Sequence, residues 1–165
     1  MLRHLQAGTF IFSDLDMLTP RQREVASEIY QQLSIKYPHL TLLNNPQKVL
    51  LRYDLLRKMY HMGINRFTVA RATETFDSLR FPVFLREANR HTGSLTPLIH
   101  CVEELHKNIR LLELIGYPLE DILVVEYLDA SIANGIHVKY SAFILGNRVM
   151  PRYLNYSYHW MVKSD

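Results

Sequence analysis

Between Asp121 and Asp129 the chain runs Ile122-Leu123-Val124-Val125-Glu126-Tyr127-Leu128, apolar on both alternating faces apart from one carboxylate. A strand of this composition belongs in the middle of a sheet covered on both sides, because either face left in water exposes branched aliphatic side chains. The rest of the sequence must therefore supply two covering layers and neighbouring strands. It must also supply a partner for Glu126, since an uncompensated buried charge costs about 3–5 kcal/mol. Arg86 and Lys139 are the candidate partners.

Phe81-Pro82-Val83-Phe84-Leu85-Arg86-Glu87 is a second aromatic and apolar run, ending in charge and followed by Ala88-Asn89-Arg90-His91-Thr92-Gly93-Ser94. The pattern is that of a buried strand opening into a loop of small, polar residues. Period two places Phe81, Val83 and Leu85 on one face and Phe84 and Arg86 on the other, with the Arg86 guanidinium aimed toward the loop. A planar cation with five donors beside a glycine-bearing loop matches phosphate or carboxylate oxygens. The plainer alternative is a strand-end arginine paired with Glu87 or Glu126.

The covering elements can be read around these two strands. Thr9–Ser13 reads as a short strand, and Thr19-Pro20 as a cap and first helical position. The helix that follows, to about Leu33, carries Val25, Ala26, Ile29 and Leu33 as its stripe. A strand over Leu40–Leu43 completes a strand, helix, strand unit. Asn44-Asn45-Pro46 predicts a helix running to Met62 and stopped by Gly63, with Val49, Tyr53, Leu56 and Tyr60 on one face and Arg52 at its edge. Arg52 either reaches into an adjoining cleft or snorkels to water. Phe67–Arg71 reads as a strand and Thr73–Leu79 as a turn or short helix. Val102, Leu105, Ile109 and Leu112 predict a helix stopped by Gly116, with Glu103 and Glu104 in its first turn. Asp129–Gly135 reads as a hinge, and Ile136–Leu145, Gly146-Asn147 and Arg148–Leu154 as a β-hairpin. Asn155–Asp165 is aromatic and basic without a clear period.

At 165 residues and 48% hydrophobic, the chain can bury one sizeable core. Its net charge of +3 is spread along the sequence without a basic run, which disfavours nucleic acid as a partner. Met1–Gly8 lacks the apolar core of a secretory signal, and no window approaches a membrane span, so a cytoplasmic chain with no membrane partner is expected. One cysteine, Cys101, allows neither an internal disulfide nor a thiolate zinc cluster. Its position at a helix start fits a cap better than a nucleophile, since no partnered base is visible. The eight histidines form no metal-ligand spacing.

Taken in order, these elements resemble the ATP-grasp superfamily. The resemblance rests on a strand–helix unit, a helix ending in Gly63-Ile64, a Phe-Pro-Val strand ending in a cation, a small-residue loop, a helix, the Val-Val-Glu-Tyr-Leu strand and a hairpin. It covers roughly residues 9–163, and no single motif decides it. It implies an α/β (α+β) fold with a mixed or antiparallel sheet, flanking helices and an incomplete second lobe. Residues 1–44 are then a remnant of the domain that precedes the grasp, 45–128 the first lobe and 129–165 the start of the second. The family's two phosphate-binding lysines map to Arg52 and Arg86, both arginine here. The loop His91-Thr92-Gly93-Ser94 falls where the family covers the phosphates. The adenine edge maps to Glu126, Tyr127 and Leu128, with Lys139 and, on the partner strand, Arg152 as weaker candidates for ribose or phosphate.

The family activity this implies is an ATP-dependent ligase joining a carboxylate to an amine or similar nucleophile, with ATP and Mg²⁺ as cofactors. The acidic residue and Glu-x-Asn pair that hold Mg²⁺ in the family have no counterpart here. This stretch is therefore expected to be a shortened form of a longer protein, binding nucleotide weakly and not catalysing by itself. The alternative is a non-catalytic binding module: Pro151–Lys163 interleaves aromatic and cationic residues as a stacking platform does. Rings left uncovered there would instead favour self-association.

Overall fold

The computed structural model describes residues 7–162. Met1–Gln6 and Lys163–Asp165, at the ends of the first and last stretches named above, lie outside the described residues. The fold is mixed α and β. Strand β1 (Thr9–Ile11) pairs in parallel with β2 (Thr41–Leu43), and α1 (Pro20–Lys36) connects them. Thr19 caps α1: its hydroxyl accepts from the Gln22 N–H while the Gln22 side chain accepts from the Thr19 N–H, the reciprocal arrangement of a capping box. Of the predicted stripe only Leu33 is buried, and Val25 and Ile29 stay exposed. This unit is therefore lightly covered.

The helix expected from Pro46 to Met62 is broken. Asn45 caps a single 3-10 turn (Pro46–Lys48), Val49–Leu51 is extended, and α2 (Arg52–His61) begins only at Arg52. Val49 thus leaves the helical stripe and Tyr60 is exposed, while Tyr53 and Leu56 keep their places against the sheet. Gly63, at φ 69°, ends the turn as expected.

Strands β3 (Val69–Arg71), β4 (Val83–Glu87) and β5 (Ile122–Glu126) form an antiparallel sheet in the order β3-β5-β4. The apolar run is the central strand, with all five of its residues buried. Helix α3 (Val102–Leu114) covers one face, where Leu85, Ile99, Leu105, Ile122 and Val124 are at most 1% exposed. Burying each such side chain contributes about 1.5–3 kcal/mol. Helix α2 covers the other face through Tyr53 and Leu56, above Val69, Leu123 and Val125. Residues 73–79 form turns and no helix. The free edge of β4 is lined by the segment after the loop: Val83 and Ile99 exchange both backbone hydrogen bonds, and Leu95 N–H donates to Leu85 O.

In the predicted hinge, Ser131–Ile132 forms a short β6, which pairs with β7 (Ile136–Leu145). Strand β8 (Arg148–Ser157) pairs with β7 and extends into the tail that showed no period. The hairpin register shifts between Ser141 and Ala142, opposite the extra residue Arg152.

Candidate functional site

Pleating of the β3-β5-β4 sheet sorts its charged residues. Register pairs Phe84 with Val125 and Arg86 with Leu123, so Phe84 and Arg86 share the α2 side, while Glu126, opposite Val83, shares the α3 side. A Glu126–Arg86 ion pair is therefore excluded by geometry. The partner of Glu126 is Arg80. Its carboxylate is 3% exposed and accepts from the Thr68 N–H at 3.0 Å, the Arg80 N–H at 2.8 Å and the Arg80 guanidinium at 2.7 Å. Burial pushes the Glu126 carboxyl up, but the hydrogen bonds and charge of Arg80, with the Thr68 amide, outweigh it and hold the pKa below the usual value. Glu87 likewise pairs with Arg90, at 3.7 Å, and not with Arg86.

On the α2 side the sheet runs past the helix and opens into a cavity of about 880 Å³. Its floor is Phe67, Phe84, Val125 and Arg86; its walls are the loop after β1, the extended stretch before α2, and Arg52 in the first turn of α2. The break in the predicted helix makes this wall, because Val49 and Leu50 line the cavity. Two non-glycine residues with left-handed backbone, Asp14 (φ 53°) and Asn44 (φ 61°), stand at its rim, one after each strand of the parallel pair. Aspartate and asparagine tolerate that conformation best among residues with a Cβ, and the Asn44 amide donates to Phe12 O at 3.0 Å, fixing the two loops together. The sequence reads Asn44 as part of a helix-capping signal and Asp14 as the start of the lead into α1, with neither at a site. The signal was there, in an Asp and an Asn each directly after a short apolar strand.

Arg52 does not snorkel. Its Nη1 donates to the carbonyl oxygens of Glu87 at 3.1 Å, Ala88 and Arg90 at 3.0 Å, tying the start of α2 to the loop after β4. Burial lowers its pKa and the charge of Asp16 opposes that shift. Arg86 is half-buried and more poorly served. Its Nη2 donates to Arg90 O at 3.3 Å, and its Nε is buried without a partner. Burial, and then repulsion from Arg52, push its pKa down to about 10. Two guanidinium groups thus share one cavity wall close enough to repel each other, a pairing that an anion between them would reverse.

The loop candidates reach this cavity indirectly. His91 Nε2 lies 3.3 Å from Asp16, a lining residue. Thr92 donates its hydroxyl to Glu87 at 3.0 Å, and Gly93 takes φ 90°. Ser94 is spent on the β4 edge, donating to Leu85 O at 3.4 Å and to Thr96 O. The hinge candidates sit elsewhere. Tyr127 donates its N–H to Pro82 O at 2.9 Å and its hydroxyl to Asp129, and its ring meets Trp160 at 5.7 Å. Trp160 also packs on Phe84 at 5.0 Å, so the tail after β8 returns to the same sheet face as Arg86. Leu128 is exposed, as is Lys139 on β7 opposite Asn155. Tyr127, Leu128 and Lys139 do not line the cavity. Arg152 rests over the rings of Phe143 and Tyr153, 5.2 and 5.1 Å from their centroids. Cys101 stands at the N-cap of α3, exposed, with no side-chain cap bond.

Among the described residues no three His, Cys, Asp or Glu side chains come together as a metal centre, and no helix is long and apolar enough to cross a membrane. Comparison with protein-family models, with curated proteins and with solved structures gives no match.

Proposed function

We propose that this chain carries the nucleotide-binding part of an ATP-grasp-like ligase, which couples ATP hydrolysis to joining a carboxylate to an amine or similar nucleophile. The observation that carries the reading is the pair Arg52 and Arg86. Both line one cavity of about 880 Å³, and the second has a buried, unpartnered Nε and a pKa pushed down to about 10. A cavity of this size with an apolar floor and convergent cations suits an organic anion of nucleotide dimensions. Each charge-assisted bond from guanidinium to phosphate is worth about 1.5–3 kcal/mol.

In this reading Arg86 and Arg52 hold the phosphates, and the loop around Gly93, already tied to Arg52 through Arg90 O, moves with them. The adenine lies on the apolar floor beside Phe84, while Tyr127 and Leu128 stand outside the cavity and the Tyr127 N–H is taken by Pro82 O. Glu126 contributes by fixing the strand, since its oxygens are taken by Arg80 and Thr68. ATP, when bound, supplies the phosphoryl group that activates a carboxylate. Among the described residues no three His, Cys, Asp or Glu side chains come together to hold Mg²⁺.

Calorimetric titration with ATP and a non-hydrolysable analogue, each with and without Mg²⁺, tests the proposal. Saturable binding that is lost in Arg86→Ala is the expected result. Absence of binding at millimolar nucleotide, or equal affinity in a folded Arg86→Ala variant, overturns it.

A further inference from the structure

Beyond the two residues paired with β6, strands β7 and β8 continue as a two-stranded ribbon whose two faces differ in charge. Residues 136–157 contain three Lys or Arg and no Asp or Glu. Register and the bulge put all three cations on one face: Lys139 opposite Asn155, Arg148 opposite Leu145, and Arg152 over Phe143 and Tyr153. The other face carries Val138, Tyr140, Ile144, Val149, Leu154 and Tyr156 without a charge. It is open: Tyr140 and Ile144 are each 76% exposed, and Tyr156 is 73% exposed. An isolated two-stranded hairpin is at best marginally stable in water, so this ribbon gains by being covered.

We propose that a second copy of this chain covers it, the two uncharged faces stacking about a twofold axis. Three observations favour a copy of the chain over other occupants. The face has no charge to complement, so an anionic partner such as nucleic acid gains nothing there and would go to the opposite face. Stacking two copies leaves every cation of both ribbons pointing outward into water, so like charges do not meet across the interface. Edge-to-edge pairing is disfavoured on β8, where Pro151 lacks an N–H and Arg152 bulges.

The exposed aromatic and aliphatic side chains offer roughly 500 Å² per copy, or roughly 1,000 Å² in all, at the lower edge of what a specific interface needs. The association is therefore concentration-dependent and stops at the dimer, because a twofold contact uses the same patch on both partners.

Sedimentation equilibrium from low-micromolar to several hundred micromolar protein tests this. The chain should fit a monomer–dimer equilibrium, and Tyr140→Lys with Ile144→Lys should weaken it by at least about tenfold, by burying four unpaired charges per dimer. Phe143→Lys, on the cationic face, should leave it within about twofold of the parent chain, since the charge it adds stays in water. Hydrogen exchange on the unaltered chain supplies a measurement independent of variant folding: amides of 138–144 and 149–156 should gain protection with concentration. A monomer throughout, equal weakening by Phe143→Lys, or protection unchanged with concentration each overturns the proposal.

Discussion

Replacing Arg86 by methionine separates a residue kept for a ligand from one kept for the fold. The guanidinium is held in a place that disfavours its charge: its pKa falls to about 10, through burial first and Arg52 second. A fall of this size sets about 3 kcal/mol against the charged form, an upper bound. The group is partly in contact with solvent, and screening leaves about 1–2 kcal/mol. Methionine keeps much of the aliphatic stem and gives up the 3.3 Å bond to Arg90 O, worth about 0.5 kcal/mol at that length. The balance is a ligand-free variant more stable by about 1 kcal/mol, a rise in Tm of about 2–4 °C for a chain of this size. Binding should go the other way. ATP at 100 times its Kd stabilises the parent chain by about 2.7 kcal/mol, and the variant should show none of this. Differential scanning fluorimetry with and without ATP reads both effects. A variant that melts lower than the parent without ligand would show that Arg86 braces the loop; an ATP shift retained in the variant would show that the phosphates lie elsewhere.

Glu126→Ala leaves the amides of Thr68 and Arg80 without an acceptor, at about 1–2 kcal/mol each, so urea unfolding should show a loss of about 2–4 kcal/mol. Because the folded-state pKa of Glu126 lies below 4.5, its stabilisation is complete above that pH and disappears as pH falls through the lower folded value. Acid titration followed by circular dichroism should therefore show a steeper loss below pH 4.5 in the parent chain than in Glu126→Gln. Arg52→Ala removes the donor shared by the carbonyls of Glu87, Ala88 and Arg90, and should cost about 1–3 kcal/mol in urea as well as nucleotide affinity. Trp160 is the sole tryptophan of the chain and touches Phe84 and Tyr127, so its emission should change saturably with ATP; an unchanged spectrum alongside calorimetric binding would place the adenine away from Phe84.

What could be read in advance was set by period and punctuation. The run 122–126 announces a central strand because no other position hides both faces, and α3 follows from four apolar residues at helical spacing closed by Gly116. Alternation also assigned Phe84 and Arg86 to one side and Val83 and Leu85 to the other. What could not be read depends on contacts distant in sequence. The break at Val49–Leu51 defeats a run of good helix periodicity, because those apolar residues are drawn to the cavity wall beside the sheet. The Glu126 partner required knowing which face the carboxylate occupies. Counting along β5 places it with Val124, yet the approach of Arg80 from a turn 46 residues earlier has no local signal. Phe84 meeting Trp160 is of the same kind, since a tail without periodicity gives no hint of where it lands.

Glu126 and Arg86 are charges on neighbouring strands of one sheet, and the structure treats them oppositely. Glu126 receives two backbone amides and a guanidinium, so that despite its burial its charge is favoured and its pKa falls. Arg86 receives one long bond, a bare Nε and a like-charged neighbour, so that its charge is disfavoured and its pKa falls too, in the sense that weakens an ion of opposite sign. The same direction of shift therefore means satisfaction for the carboxylate and deficit for the guanidinium. A residue serving the fold alone gains nothing from that deficit, and a methionine would fill the space at lower cost. An unmet cation on a cavity wall is what an anion site requires before its ligand arrives, since the ligand then gains everything the protein has withheld. The reading of Arg86 as a phosphate ligand rests on this asymmetry, and it stands or falls with the opposed effects of Arg86→Met on stability and on binding.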